Sequence, residues 1–262
     1  MAQAYPALQH IVVSVEERVG WLAYHRPPIN AFNRAMVEEV VTALQALLDD
    51  PAVRVIVIAS RLERFFSAGA DLQVFQGMSA EQMRDWVSLC HVQVGLLRGS
   101  RKPLLAAIHG AAVGGGLEAV LHCDVRFCAE DARLGQPEVN IAFIPPVGGT
   151  QGLARLLGRP RALRFLYDGN LVSAQEALAL GLVDELVPPQ RLKAHVQAYA
   201  AALARKPAEA LAAIRRCITE GGALPFAEGL AIEQEEAARL GATPDFVEGV
   251  AAFIVKRPPR FA

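Results

Sequence analysis

Ser67-Ala68-Gly69-Ala70-Asp71, read with Gly114-Gly115-Gly116-Leu117-Glu118 further along, is the stretch around which the rest of the chain is organised. Each of the two follows an apolar run and opens a segment with helical character. Each is therefore expected to present unpaired backbone N–H groups at a helix start. Two such ends facing one point would cradle an oxyanion, with the amides of Ala70 and Gly115 as the candidate donors. Gly69, Gly114 and Gly116 leave the backbone open to close approach. For the triple glycine taken alone, tight packing of a helix on a strand is an equal reading.

Outward from these stretches the pattern alternates. Apolar runs at 53–59, 104–108 and 125–129 have strand length and composition. Met36, Val37, Val40, Val41, Leu44, Leu47 and Leu48 recur at three- and four-residue steps, which predicts a helix over 33–50 ended by Pro51. Residues 11–15 and 19–24 flank Glu16-Glu17-Arg18 as a hairpin, and the chain then breaks at Pro27-Pro28. Phe75-Gln76-Gly77-Met78 suits a mobile pocket wall. Ser79, with Glu81 and Gln82, opens a helix through 97, and a short helix is expected over 117–122. Such alternation implies a sheet with helices packed on it and right-handed crossovers. Beyond Gly148-Gly149-Thr150, six helical segments follow at 151–157, 161–167, 174–180, 190–205, 208–220 and 226–240.

A chain of 262 residues can bury a sizeable core, and one domain with a trailing helical segment is expected. A net charge of −1 gives no electrostatic reason for a nucleic acid or an anionic membrane as partner. No apolar run approaches the roughly 18 residues of a membrane span, and the first residues lack a basic, then hydrophobic, leader pattern. The expected location is the cytoplasm. Cys90, Cys123, Cys128 and Cys217 lie in apolar surroundings without C-x-x-C spacing, which suggests neither a disulfide framework nor a zinc site.

Two carboxylates carry the candidate chemistry. Hydrating a conjugated double bond needs one group to activate water and another to deliver a proton to the α-carbon, and Glu118 and Glu138 fit those parts. Sharing a largely apolar site, they would share a proton. A lone Glu is ordinarily a solvated residue, but Leu117, Ala119, Val120 and Leu121 surround Glu118, and Pro137, Val139 and Ile141 surround Glu138. Asp71 reads as a helix cap. His109 and His122 could each serve as a base, against the commoner role of a satisfied core histidine. Cys123 and Cys128, with His122, match metal ligands by residue type only, so no metal is expected. Gly114-x-Gly116-x-x-Ala119 loosely fits a dinucleotide fingerprint, but it lies mid-chain and Glu118 would put a carboxylate where a pyrophosphate should sit.

Three segments in order, Phe66 to Asp71, His109 to Glu118, and Gly135-Gln136-Pro137-Glu138 followed by Gly148-Gly149-Thr150-Gln151, resemble the enoyl-CoA hydratase (crotonase) family. The resemblance runs from Val12 to near the carboxyl end. It implies an α/β fold of the ClpP/crotonase type: a spiral of ββα units over 1–200 and a C-terminal helical trimerisation region over 201–262. It further implies trimers or hexamers, an oxyanion hole at Ala70 and Gly115, and both catalytic glutamates of the hydratases at Glu118 and Glu138. The implied reaction is reversible addition of water to a 2-enoyl-CoA in fatty acid β-oxidation. The alternatives are isomerisation, hydration or hydrolysis of a cyclic acyl-CoA, and acyl-CoA binding without catalysis. No cofactor is required, since coenzyme A arrives with the substrate. Ala31, Ala68, Ala70, Asp71, Leu72 and Gly115 would line the coenzyme A path, with Phe253 and Lys256 reaching a neighbouring subunit's ligand. One position departs from the family pattern. Pro146 stands where a glycine usually follows the proline, removing an N–H and adding a ring to the wall, which puts a straight-chain crotonyl substrate in question and leaves a cyclic or branched acyl group open.

Overall fold

The structure is a computed structural model and describes residues 5–261. β1 (Ile11–Glu16) and β2 (Val19–Tyr24) form the expected hairpin, and α1 (Arg34–Asp49) follows. Then come β3 (Val55–Ser60), β4 (Phe65–Ser67), α2 (Ala80–Gly99), β5 (Leu104–Ile108), β6 (Ala111–Val113) and α3 (Gly115–Val120). β7 (Val125–Ala129), β8 (Arg133–Gly135), α4 (Gly149–Leu157), α5 (Arg159–Asp168), β9 (Leu171–Ser173) and α6 (Ala174–Leu180) continue the chain. It closes with β10 (Glu185–Val187), α7 (Leu192–Ala204), α8 (Ala208–Thr219), α9 (Phe226–Gly241) and α10 (Pro244–Ile254).

Two sheets result. The larger has the order β1-β2-β3-β5-β7-β10, parallel except at β1. The smaller has the order β4-β6-β8-β9, with β9 antiparallel to β8. Consecutive pairs β3/β4, β5/β6 and β7/β8 each put one strand in each sheet before the chain turns back, which is the spiral of ββα units. β2, β3 and β5 are buried almost throughout, as parallel strands covered on both faces must be, and so read as continuous apolar runs.

Local chemistry fixes the helices that flank the site. Asn33 caps α1 by accepting from the Met36 N–H, and Met36, Val37, Val40, Ala43, Leu44 and Leu47 bury one face. A capping box between Ser79 and Gln82 opens α2, whose buried stripe is Trp86, Cys90, Gln93 and Leu97. α7 packs on β2, β3, β5 and β7 through Val196, Ala200, Ala201 and Ala204. Small side chains let this helix approach the sheet closely, which accounts for its alanine-rich composition. α7 spans residue 200, so the expected division at 200/201 falls inside one helix. The last third is not wholly helical, since β9 and β10 lie within it. Among the described residues, no helix is long and apolar enough to cross a membrane.

Candidate active site

Parallel pairing of β4 with β6 sets Ser67 opposite Ala112, so the chain leaves both strands side by side and residues 68–71 lie next to 114–118. β6 pairs in turn with β8, Val113 opposite Gly135, which brings Gln136 to Glu138 against the same glycines. Three segments distant in sequence meet because three short strands share one sheet.

Ala70 forms an isolated parallel bridge with Phe32. The Phe32 N–H donates to the Gly69 carbonyl (2.7 Å), and the Asp71 N–H donates to the Phe32 carbonyl (2.9 Å). Alternation along extended chain turns the Ala70 N–H to the other side, where no acceptor among the described residues takes it. The expected helix start at Ala70 is therefore corrected. Only one 3-10 turn (Leu72–Phe75) follows, with Asp71 capping it by accepting from the Gln73 N–H (3.3 Å), and a β-bridge frees the amide. Gly115 is the first residue of α3, so its N–H is free in the expected way. A Cβ placed on Gly115 would lie 4.0 Å from the Ala70 nitrogen, so the two free amides sit close together. On Gly116 it would lie 2.6 Å from Ser67 Cβ. Tight packing of α3 on β4 and the convergence of the amides are one requirement.

Glu118 is 1% exposed. Its Oε1 accepts from the Val147 N–H (2.6 Å) and the Gly149 N–H (2.9 Å). Burial pushes its carboxyl up to about 8; the two N–H donors oppose the rise and the Glu138 charge adds to it. Burial also pushes Glu138 up, to about 7. Glu138 is half-buried at the start of a 3-10 turn (Glu138–Ile141), while Val139 and Ile141 are exposed. Its carboxylate, not its apolar neighbourhood, faces inward: a Cβ on Gly114 would lie 2.7 Å from Glu138 Oε1. The Gln136 amide, with its nitrogen towards Glu138, donates to Oε1 (3.0 Å) and Oε2 (3.1 Å). The two raised carboxyls line one cavity.

That cavity has a volume of about 460 Å³, within the range of small-molecule sites. Ala31, Ala68, Ala70, Asp71, Leu72 and Gly115 all line it. Asp71 is also paired with Arg26 (3.0 Å). Phe253 and Lys256 do not reach this cavity. Phe253 is 84% exposed on α10, and Lys256 lies just beyond that helix, exposed. Phe75, read from the sequence as part of a pocket wall, lines the cavity; sequence reasoning missed Trp86, which Phe75 meets edge-on (5.6 Å between centroids), and Phe143, at 6.2 Å from it. The spacing of Trp86, Cys90 and Gln93 on one stripe of α2 was the available signal. The amides of Val147 and Gly149 were also missed, because a backbone donor has no side-chain signature. Neither His109 nor His122 lines the cavity. His109 Nε2 donates to the Leu62 carbonyl (2.6 Å), the role of a satisfied core histidine.

A doubled sheet wound from ββα units, two convergent free amides and a pair of raised carboxyls define an acyl-transfer or enolate-stabilising scaffold. The sequence matches the family described as enoyl-CoA hydratase/isomerase over residues 14–262. The chain belongs to that family. It is 35% identical to the crotonyl-CoA hydratase of Syntrophomonas wolfei over 256 residues, 97% of this chain and 98% of the relative. It is 34% identical over 256 residues to the 2,3-dehydroadipyl-CoA hydratase of Escherichia coli, covering 97% and 99%. Its fold superposes on the crystal structure of an enoyl-CoA hydratase from Bacillus anthracis with a TM-score of 0.92, at 35% identity, covering 97% and 99% of the two chains.

Proposed function

We propose that this chain is an enoyl-CoA hydratase, adding water across the α,β double bond of a 2-enoyl-CoA to give a 3-hydroxyacyl-CoA, reversibly. One observation carries the reading: two free backbone amides and two raised carboxyls share one cavity in a chain of this family. In the reacting form the proton of the pair is on Glu138, because the Val147 and Gly149 amides donate to Glu118 Oε1 and favour its anion. The Glu118 carboxylate then takes a proton from water as the water oxygen bonds to the β-carbon. The electron pair displaced from the double bond moves to the thioester oxygen, where the amides of Ala70 and Gly115 hold the enolate. Such donors stabilise a transition state by about 3 kcal/mol each. Glu138 then gives its proton to the α-carbon as the enolate collapses. One proton enters the pair and one leaves, so the pair ends with the single proton it began with.

The acyl group is uncharged. Among the described residues lining the cavity, Asp71, Glu118 and Glu138 carry carboxyls and no Lys, Arg or His is present. Phe75, Trp86, Phe143 and the Pro146 ring supply apolar wall, which suits a branched or cyclic group as well as a short straight one. The enzyme works in the cytoplasm in fatty acid oxidation, as a homotrimer or homohexamer. Four free cysteines suit a reducing compartment, and exposed aromatic and aliphatic side chains on α8 to α10 supply a surface for self-association.

Turnover of a panel of straight, branched, cyclic and ω-carboxylated 2-enoyl-CoAs tests this. Uncharged members are hydrated, and kcat/KM for the ω-carboxylated member is lower by about tenfold or more, since a carboxylate enters the pocket without a cation to meet it. Failure to hydrate any of them while 3-enoyl-CoAs are isomerised or acyl-CoAs hydrolysed overturns the reading.

A further inference from the structure

Glu118 is aimed by one loop. Its Oε1 accepts from Val147 and Gly149, so the direction of the carboxylate depends on where residues 146–149 lie. No helix or strand contains residues 142–148, and the exposed Ile144 stands within that span. Two histidines face carbonyl oxygens of the loop. His91, exposed on α2, has Nε2 2.7 Å from the Pro146 carbonyl oxygen. His122, one helical turn beyond Glu118, has Nε2 3.5 Å from the Val147 carbonyl oxygen. Its ring lies so close beneath Gly148 that a Cβ there would sit 2.6 Å from Nε2. A carbonyl oxygen only accepts, so both Nε2 atoms carry the hydrogen. Glu118 and His122 thus grip the loop from two points on the same stretch of chain, and His91 closes the grip from α2.

We propose that His122 and His91 are positioning residues for the reaction: they clamp the 146–149 loop and thereby hold its two amides on Glu118. Neither histidine lines the cavity, so neither touches the reacting atoms. Burial holds His122 down at about 4, with Arg98 opposing its charge as well, so His122 is neutral at working pH and acts as a fixed donor. The groups facing Glu118 are Glu138 and, from α2, the Cys90 thiol, which burial pushes up to about 12 and so keeps neutral. The clamp rests on the hydratase reading for its purpose, but its geometry is testable without turnover.

The experiment titrates the Glu118 carboxyl by carbon-13 NMR in the ligand-free protein, assigned by its loss in Glu118→Gln, alongside kcat and KM for crotonyl-CoA. His122→Leu and the surface variant His91→Ala raise the Glu118 pKa, by about one unit for His122→Leu, because slackened amides no longer favour the anion. The kcat of His122→Leu falls by about 10- to 100-fold with KM nearly unchanged, as expected of a misaimed base. His122→Gln, which keeps an N–H near the same point, restores both. An unchanged Glu118 pKa in both His122→Leu and His91→Ala overturns the clamp, even if kcat falls. A raised pKa in a protein that hydrates no enoyl-CoA supports the clamp and overturns the hydratase reading instead.

Discussion

Glu118 has to be buried to work and is costly to bury. Its folded-state value, about 8, stands above the ordinary 4.5, so the folded chain holds this proton more tightly than the unfolded chain does. The stability the group contributes is full below pH 4.5 and is lost as the pH rises to about 8. Glu118→Gln keeps an oxygen for the Val147 and Gly149 amides and removes the charge. Its melting temperature relative to the parent should therefore climb between those pH values, by an amount on the order of 10 °C. A difference that does not vary with pH would contradict the burial account. Activity follows the pair. The reaction needs one proton on two carboxyls, so kcat/KM should trace a bell with its maximum between about 7 and 8, falling on the acid side as both protonate and on the alkaline side as both ionise.

At the scale of elements, the site hangs on the short strands β4, β6 and β8, and these are the elements that pattern reading does not find. Three residues are too few to show alternation, so 65–67, 111–113 and 133–135 carry no period, whereas the long stripes of α1 and α2 and the apolar runs of β3 and β5 are legible directly. The glutamates and the glycines were legible as chemistry. The β-bridge that frees the Ala70 amide was not, because Phe32 and Ala70 are brought together only by the folded chain. Gly114 joins β6 to α3 with φ +51°, and a Cβ there would meet the Glu138 carboxylate. Gly114→Ala should therefore displace Glu138 and lower kcat by about 100-fold while far-UV circular dichroism stays that of the parent. Retention of full activity would show that the glycine serves packing alone.

Over the whole molecule, the apolar surface is concentrated where the chain ends. Phe246, Phe253 and Phe261 border a groove of about 440 Å³ with Pro207, and Ile218, Phe226 and Ile254 are also exposed. Phe253 and Lys256 lie outside their own chain's cavity and are exposed. Sedimentation equilibrium should give three or six times the single-chain mass, and Phe253→Asp should shift the distribution towards smaller species. A monomer at micromolar concentration would remove the neighbour from the account. The reaction belongs to the cavity that Glu118 and Glu138 line. Its most direct test is to mix the parent protein and Glu138→Gln separately with crotonyl-CoA and follow the absorbance of the conjugated thioester. The absorbance should be lost with the parent, with 3-hydroxybutyryl-CoA as product, and the rate should be lower by about 10²–10⁴-fold for Glu138→Gln, which still binds the acyl-CoA. No loss with the folded parent, or a variant as fast as the parent, would contradict it.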